Sequence, residues 1–166
     1  QGMLAAGLAT AREAWLDHDY KELTIPAHDG RHALDPNALH IWPRGGFMLI
    51  ALPNPDGTFT ATLFLPKQGP NSFAELQSPE AVQTFFAKQF PRAMALMPTL
   101  ATEYFEHPQG IMGTVYCDHW HAGGDVLLLG DAAHAIVPFH GQGMNCAFED
   151  CATLDQLLDE CADWPE

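Results

Sequence analysis

The chain has 166 residues, of which 47% are hydrophobic, and 7 Lys and Arg residues stand against 21 Asp and Glu residues, for a formal net charge of −14. A polyanion of this kind has no general attraction to phosphate backbones or anionic lipids, which argues against nucleic-acid and membrane-surface binding. The charge is unevenly spread. Residues 1–92 hold all seven cations and nine acids, whereas residues 93–166 hold twelve acids and no Lys or Arg.

Nothing in the sequence indicates secretion or insertion into a membrane. No apolar run approaches the roughly 18 residues of a membrane span, and the first residues lack a basic segment followed by an apolar one. The four cysteines show no Cys-x-x-Cys spacing, which favours reduced thiols in a cytoplasmic protein. They are Cys117, Cys146, Cys151 and Cys161.

The N-terminal part of the chain predicts a helix followed by a short strand. Residues 3–18 are rich in Ala, and their apolar side chains recur at three- and four-residue steps, which is typical of a helix. Residues 20–25 alternate as in a strand. Residues 27–37 contain Asp-Gly and Asp-Pro pairs and predict an exposed loop.

Three strands are predicted next, and two of them form a hairpin. Residues 39–42 are a strand candidate, and residues 47–52 and 58–65 are rich in β-branched and aromatic side chains. The Asn-Pro-Asp-Gly segment at 54–57 supplies the turn between the last two strands.

The first arm of this hairpin is apolar on both faces. Met48, Ile50 and Leu52 point to one side because successive strand residues alternate, and the residues between them are apolar too. We therefore expect both faces to be covered, by protein core or by a ligand.

A helix is predicted over residues 80–90, capped by Ser78 and with Pro79 in its first turn. Pro91 interrupts this helix because proline cannot continue the hydrogen-bond pattern. Residues 110–119 predict another strand.

The last third of the chain holds the segment with the clearest chemistry. Residues 126–129 form a wholly apolar run, typical of a strand buried on both faces, and Asp131 follows at its carboxyl end. A glycine turn at 141–143 then leads into a helix predicted over residues 146–161. The unpaired N–H groups at such a helix start suit an anion or an electron-rich oxygen, and a carboxylate after a strand can accept hydrogen bonds from sugar-like hydroxyls.

The complete string, from Gly130 through Pro138 to Asn145, resembles the second flavin-binding motif of the FAD-dependent aromatic hydroxylases. In that family the Asp holds the ribityl chain of the flavin, and the loop passes along the isoalloxazine ring. The resemblance implies cofactor-binding roles for Asp131, Pro138, Gly141, Gln142, Gly143, Met144 and Asn145.

The similarity extends over about residues 20–160, and segments 20–23, 39–45 and 138–146 are most similar to the branch of the family that hydroxylates kynurenine. It implies an FAD- and NADPH-dependent conversion of L-kynurenine, a small aromatic amino acid, to 3-hydroxykynurenine. The flavin carries the chemistry, so no catalytic side chain is expected, although His140 is a candidate contact to the substrate. The implied substrate pocket comprises Leu39, Met48, Ile50, Leu52, Phe64, Pro138, Phe139 and His140.

The resemblance implies a mixed α+β and α/β fold: an antiparallel substrate-side sheet in residues 3–110 and a strand–loop–helix piece of the FAD-binding domain in residues 111–166. Residues 1 and 2 resemble the remnant of a cleaved expression tag. The Gly-x-Gly-x-x-Gly motif that binds the ADP half of FAD does not occur. We therefore expect an interior fragment that neither retains FAD nor catalyses the reaction alone.

Two other functions are compatible with the residues. A truncated or split-enzyme remnant would act only as an interaction module, self-associating through uncovered surfaces. A small metal-binding domain would use the Cys and His side chains of residues 117–121, although no second cluster has the spacing of a closed zinc site.

Overall fold

The computed structural model describes residues 2–161, apart from the side chain of His140. The predicted tag residue Gln1 and the predicted end of the C-terminal domain, residues 162–166, lie outside this description. The helices are α1 (Gly2–Ala5), α2 (Pro79–Gln89), α3 (Pro91–Met94), α4 (Leu100–Glu106), α5 (Asp131–His134) and α6 (Gly143–Glu160), and 3₁₀ turns cover Phe73–Glu75 and Pro138–His140. The strands are β1 (Ala11–Ile25), β2 (His40–Pro43), β3 (Met48–Pro53), β4 (Phe59–Pro66), β5 (Gln109–Cys117), β6 (His121–Ala122) and β7 (Val126–Leu127).

These elements form two compact units, one of residues 16–111 and the other of residues 2–15 together with 112–161. Strands β1 and β5 each contribute residues to both units. The predicted domain boundary after residue 110 stays a prediction about how the chain is organised.

In the described part of the chain, the main sheet has five strands in the order β2-β3-β4-β1-β5. The predicted hairpin is confirmed: β3 and β4 pair antiparallel from Met48 opposite Phe64 to Pro53 opposite Phe59. Strand β2 pairs antiparallel with β3, and β4 pairs antiparallel with β1. A second, two-stranded sheet joins β6 and β7.

One face of the main sheet in residues 16–111 packs against helices α2, α3 and α4. Leu49, Ala51 and Leu63 point into this core, where their side chains are fully buried among apolar residues of the helices. The predicted helix cap is confirmed, since the Oγ of Ser78 accepts a hydrogen bond from the N–H of Ala81 at 3.2 Å. Among the described helices, none is long and apolar enough to cross a membrane.

The predicted N-terminal helix over residues 3–18 is wrong. Only α1 is helical there, and β1 begins at Ala11. Within residues 16–111, His18 lies opposite Pro66 and Asp19 lies opposite Leu65 in an antiparallel ladder. Pairing with a distant strand stabilises the extended form, and the weak local preference for helix does not outweigh it.

The predicted burial of the 126–129 run is wrong as well. Only Val126 and Leu127 form a strand, and their side chains are 44% and 47% exposed. An apolar strand is buried only where other elements cover its faces, and β7 pairs with the two-residue strand β6.

The aromatic packing on α2 generates a stability prediction. Phe86 is fully buried, with its ring centroid 5.6 Å from that of Phe90, whereas Phe105 on α4 is half-exposed. We expect Phe86→Ala to lower the free energy of unfolding by about 3–5 kcal/mol, because it leaves a cavity, and Phe105→Ala to lower it by less than about 1 kcal/mol. Urea titration followed by tryptophan fluorescence measures both; equal losses would contradict this assignment of the core.

Candidate functional site

A left-handed turn precedes the last helix in the unit of residues 2–15 and 112–161. Gly141 has a φ of 61°, a conformation that side chains rarely adopt, and α6 begins two residues later at Gly143. The first helical hydrogen bond runs from the N–H of Cys146 to the carbonyl of Gln142 at 2.9 Å. The predicted glycine turn at a helix start is confirmed, and the helix begins three residues before the predicted Cys146. Three backbone N–H groups therefore precede the helical pattern, at the positive end of the helix dipole.

The carboxylate of Asp131 lies beside this first turn of α6. Asp131 is the first residue of α5, its side chain is exposed, and a Cβ placed on Gly143 would lie 3.9 Å from its Oδ1. The structure thus brings together two of the predicted cofactor-binding residues, one acidic and one without a side chain. Asp131 also lines an open, mostly apolar groove of about 400 Å³. Other residues along that groove include Ala11, Val115, Val126, Leu128 and Ala132.

Gly130 fixes how closely α5 approaches α6. Its φ of 57° and ψ of −139° suit glycine, and a Cβ at this position would come within 2.9 Å of the Cβ of Ala147. Its N–H donates a hydrogen bond to Oδ2 of Asp150 at 2.8 Å. Both the backbone angle and the lack of space therefore require glycine here.

Asp150 was not among the residues to which the sequence analysis gave a role, yet its carboxylate joins α6 to α5. Oδ2 of Asp150 accepts from Nε2 of His134 at 2.8 Å as well as from Gly130, and the side chain is only 17% exposed. Two hydrogen bonds lower the pKa of Asp150 because they favour the ionised carboxylate: the larger effect comes from the Gly130 N–H and the smaller from His134. Its separation of 20 residues from Gly130 gives no sequence signal that the two meet.

The remaining predicted flavin-side residues lie along the loop and the start of α6. Pro138 begins the 3₁₀ turn that also contains Phe139, and the side chain of Asn145 donates a hydrogen bond to Oε1 of Gln142 at 2.9 Å. Met144 is exposed at the surface of α6. The backbone of His140 belongs to the same turn, while the predicted contact through its side chain lies outside the described part of the structure.

The predicted substrate residues of the other unit share the sheet face turned away from the helices. Met48 lies opposite Phe64, and Ile50 lies between Ile41 and Thr62 on the two neighbouring strands. Phe64 and Ile50 are buried, whereas Leu52 is half-exposed at the end of this row. The result is an apolar stripe flanked by threonines.

Leu39 lies just outside this register. It directly precedes β2, and its side chain is half-exposed.

The Cys and His residues around 117–121 make local contacts instead of a ligand cluster. Cys117 Sγ donates to the carbonyl of His119 at 3.2 Å, and Asp118 accepts hydrogen bonds from the N–H and the hydroxyl of Thr10. Among the residues that the structure describes, no group of three or more His, Cys, Asp or Glu side chains is arranged to hold a metal ion.

Comparison with known proteins identifies the family. The family model described as "FAD binding domain" matches residues 44–162 of the chain. The chain belongs to this FAD-binding family. Kynurenine 3-monooxygenase of Myxococcus xanthus is 61% identical over 152 residues, covering 91% of this chain and 33% of that enzyme. Kynurenine 3-monooxygenase of Xanthomonas campestris pv. campestris is 56% identical over 154 residues, covering 92% and 34%. The chain thus spans about a third of the length of these relatives.

Solved structures show the same fold at low sequence identity. The tetrameric form of 2-methyl-3-hydroxypyridine-5-carboxylic acid oxygenase superposes with a TM-score of 0.69 at 22% identity, over 92% of this chain and 40% of that one. HpxO of Klebsiella pneumoniae, in complex with FAD and uric acid, gives a TM-score of 0.65 at 17% identity, over 93% and 39%. The predicted mixed fold with a mostly antiparallel sheet, of the aromatic hydroxylase type, is confirmed.

Three glycine substitutions separate backbone strain from crowding in this site. Gly130→Ala meets both a positive φ and Ala147, Gly141→Ala meets a positive φ in open space, and Gly124→Ala meets neither. We expect losses in the free energy of unfolding of about 2–4, about 1–2 and less than about 0.5 kcal/mol, in that order. Thermal unfolding of the three variants measures this series; a Gly130→Ala variant as stable as Gly141→Ala would contradict the close contact with α6.

Proposed function

We propose that this chain is the part of an FAD- and NADPH-dependent aromatic monooxygenase that holds the flavin end of the cofactor and one side of the substrate, L-kynurenine, which the whole enzyme converts to 3-hydroxykynurenine. The observation that carries the proposal is the exposed Asp131 carboxylate beside the glycine-lined first turn of α6. The family membership and the names of the relatives support it.

The residues at this turn suit a flavin. The carboxylate of Asp131 can accept hydrogen bonds from hydroxyls of the ribityl chain. A Cβ at Gly141 would meet no atom within 4 Å, so a flat ring can approach the backbone there. The backbone N–H groups at the start of α6 favour an electron-rich edge of the ring because they lie at the positive end of the helix dipole. Pro138, Gln142, Met144 and Asn145 complete the proposed contacts.

In this proposal the chain's own residues bind, orient and keep water away. The flavin, when bound, supplies the redox chemistry of hydroxylation with NADPH as reductant. Asp131 would orient the cofactor by accepting hydrogen bonds from the hydroxyls of the ribityl chain, and the start of α6 would stabilise negative charge on the flavin ring. The apolar side chains along the groove beside Asp131, such as Val115, Val126 and Leu128, would reduce access of water to the cofactor.

The sheet face of residues 16–111 suits an aromatic ring. Met48, Ile50, Leu52 and Phe64 form its apolar stripe, which we propose contacts the ring of the substrate, with Leu39 at one end. An aromatic neighbour such as Phe64 adds a preferred ring geometry to the burial of apolar area. The substrate contacts that the resemblance implies for Pro138, Phe139 and His140 stay a prediction.

Titration with two flavins tests the cofactor assignment. If Asp131 and the start of α6 contact only the flavin end, the affinities of this chain for riboflavin and for FAD should differ by less than about threefold. Neither flavin should stay bound to the chain during gel filtration. Asp131→Asn should weaken the binding of both flavins by about tenfold or more, because the side chain loses its charge and one of its two acceptor oxygens. Quenching of flavin fluorescence measures the affinities, and Asp155→Asn, at an exposed position of α6, is the matched control. Unchanged binding in Asp131→Asn, or no flavin binding by the unmodified chain, would contradict the proposal.

The chain alone is expected to be inactive. Its relatives are about three times longer, and the motif that binds the ADP half of FAD does not occur in this sequence. NADPH absorbance at 340 nm, followed with saturating FAD and with or without kynurenine, should show no substrate-dependent decrease. Oxidation of NADPH stimulated by kynurenine would overturn this expectation.

A further inference from the structure

One carboxylate on α6 holds both ends of α5. Gly130 immediately precedes α5 and His134 is its last residue, and both donate hydrogen bonds to the same oxygen, Oδ2 of Asp150, at 2.8 Å. Asp131 lies between these two donors as the first residue of α5. The position of its carboxylate therefore depends on how α5 is held.

Further contacts hold α5 in place. The ring of Trp120 stacks on that of His134, with centroids 4.9 Å apart and planes 21° from parallel. The carbonyl of Gly130 accepts from the N–H groups of Ala133 and His134 at 2.9 Å, and Ala133 is fully buried. A helix of four residues is too short to be stable through its own hydrogen bonds, so the contacts of His134 with Asp150 and Trp120 and the burial of Ala133 determine its place.

We propose that Asp150 is a positioning residue of the flavin site, which acts through Gly130 and His134 to hold the Asp131 carboxylate at the first turn of α6. This inference rests on the proposed function, and it assigns a role to a side chain that does not itself meet the cofactor. A carboxylate can only accept hydrogen bonds, so His134 carries a proton on Nε2 in this arrangement.

The charge and the acceptor capacity of Asp150 are both needed. Both donors bond to the same oxygen, Oδ2, so Asn can keep both hydrogen bonds only with its amide oxygen at that position, and then without the negative charge. Both donors then lose their charged partner, and the weaker hydrogen bonds to a neutral oxygen hold α5 less firmly against α6. His134→Gln keeps a donor on the side chain, whereas His134→Leu removes it.

The test compares Asp150→Asn with Asp155→Asn, which makes the same charge change at an exposed position of the same helix. Three readouts are followed on the full chain: the riboflavin dissociation constant, the hydrogen-exchange rate of the Gly130 amide, and the ¹⁵N shifts of the His134 ring, assigned with His134→Gln. We expect Asp150→Asn to weaken riboflavin binding and to speed exchange at Gly130 by about tenfold each, with a change in the ¹⁵N shifts of the His134 ring because its charged partner is lost. Asp155→Asn should change the riboflavin dissociation constant and the exchange rate at Gly130 by less than about twofold each. The riboflavin affinity of His134→Gln should lie within about threefold of that of the unmodified chain. His134→Leu should bind riboflavin more weakly than His134→Gln.

The outcomes separate this inference from the proposed function. If Asp131→Asn weakens riboflavin binding but Asp150→Asn does not, the positioning role is overturned while the proposed function stands. If exchange at core amides such as that of Leu63 rises as much as exchange at Gly130, Asp150 acts only on global stability and the inference is overturned. If the unmodified chain binds no riboflavin, the proposed function fails, and the inference that rests on it fails too.

Discussion

The close approach of Gly130 to Ala147 is the constraint on which the arrangement of the flavin-type motif depends. A side chain at Gly130 would collide with α6, and its backbone angles are those of glycine. At this separation the Gly130 N–H reaches Asp150, and the next residue, Asp131, comes beside the first turn of the same helix. A single missing Cβ therefore determines how a carboxylate comes to lie beside a helix N-terminus.

Local signals predicted the middle of the fold well. Segments rich in β-branched and aromatic residues on both sides of an Asn-Pro-Asp-Gly turn specify a hairpin through interactions between neighbours in sequence. Ser78 with Pro79 specifies a helix start in the same way. The N-terminal segment failed because helical spacing and strand pairing compete there. His18 pairs with Pro66, almost fifty residues away, and the stabilisation from this pairing cannot be predicted from a pattern of neighbouring residues.

The candidate site could be predicted in its parts but not in its connections. Asp131 and the glycines stand out because the string from Gly130 to Asn145 is specific, and the structure does place a left-handed residue at Gly141. The link from Asp150 to Gly130 and His134 had no such signal. On sequence alone Asp150 is one acid among several on an acidic helix, and only folding shows that its side chain is turned inward.

The uneven charge of the chain affects how the carboxylates around the candidate site are stabilised. Of all Lys and Arg residues, only Arg12 belongs to the unit of residues 2–15 and 112–161, and its guanidinium lies 4.0 Å from the centroid of the Tyr116 ring. The carboxylates of Asp118 and Asp150 accordingly take backbone, hydroxyl and imidazole donors, and these hydrogen bonds lower the pKa of both. Such donors orient a carboxylate but leave its negative charge in place, whereas a Lys or Arg side chain would neutralise it. In the proposed function, the carboxylate of Asp131 favours hydroxyl groups over phosphate, whereas the backbone N–H groups at the start of α6 attract electron-rich atoms.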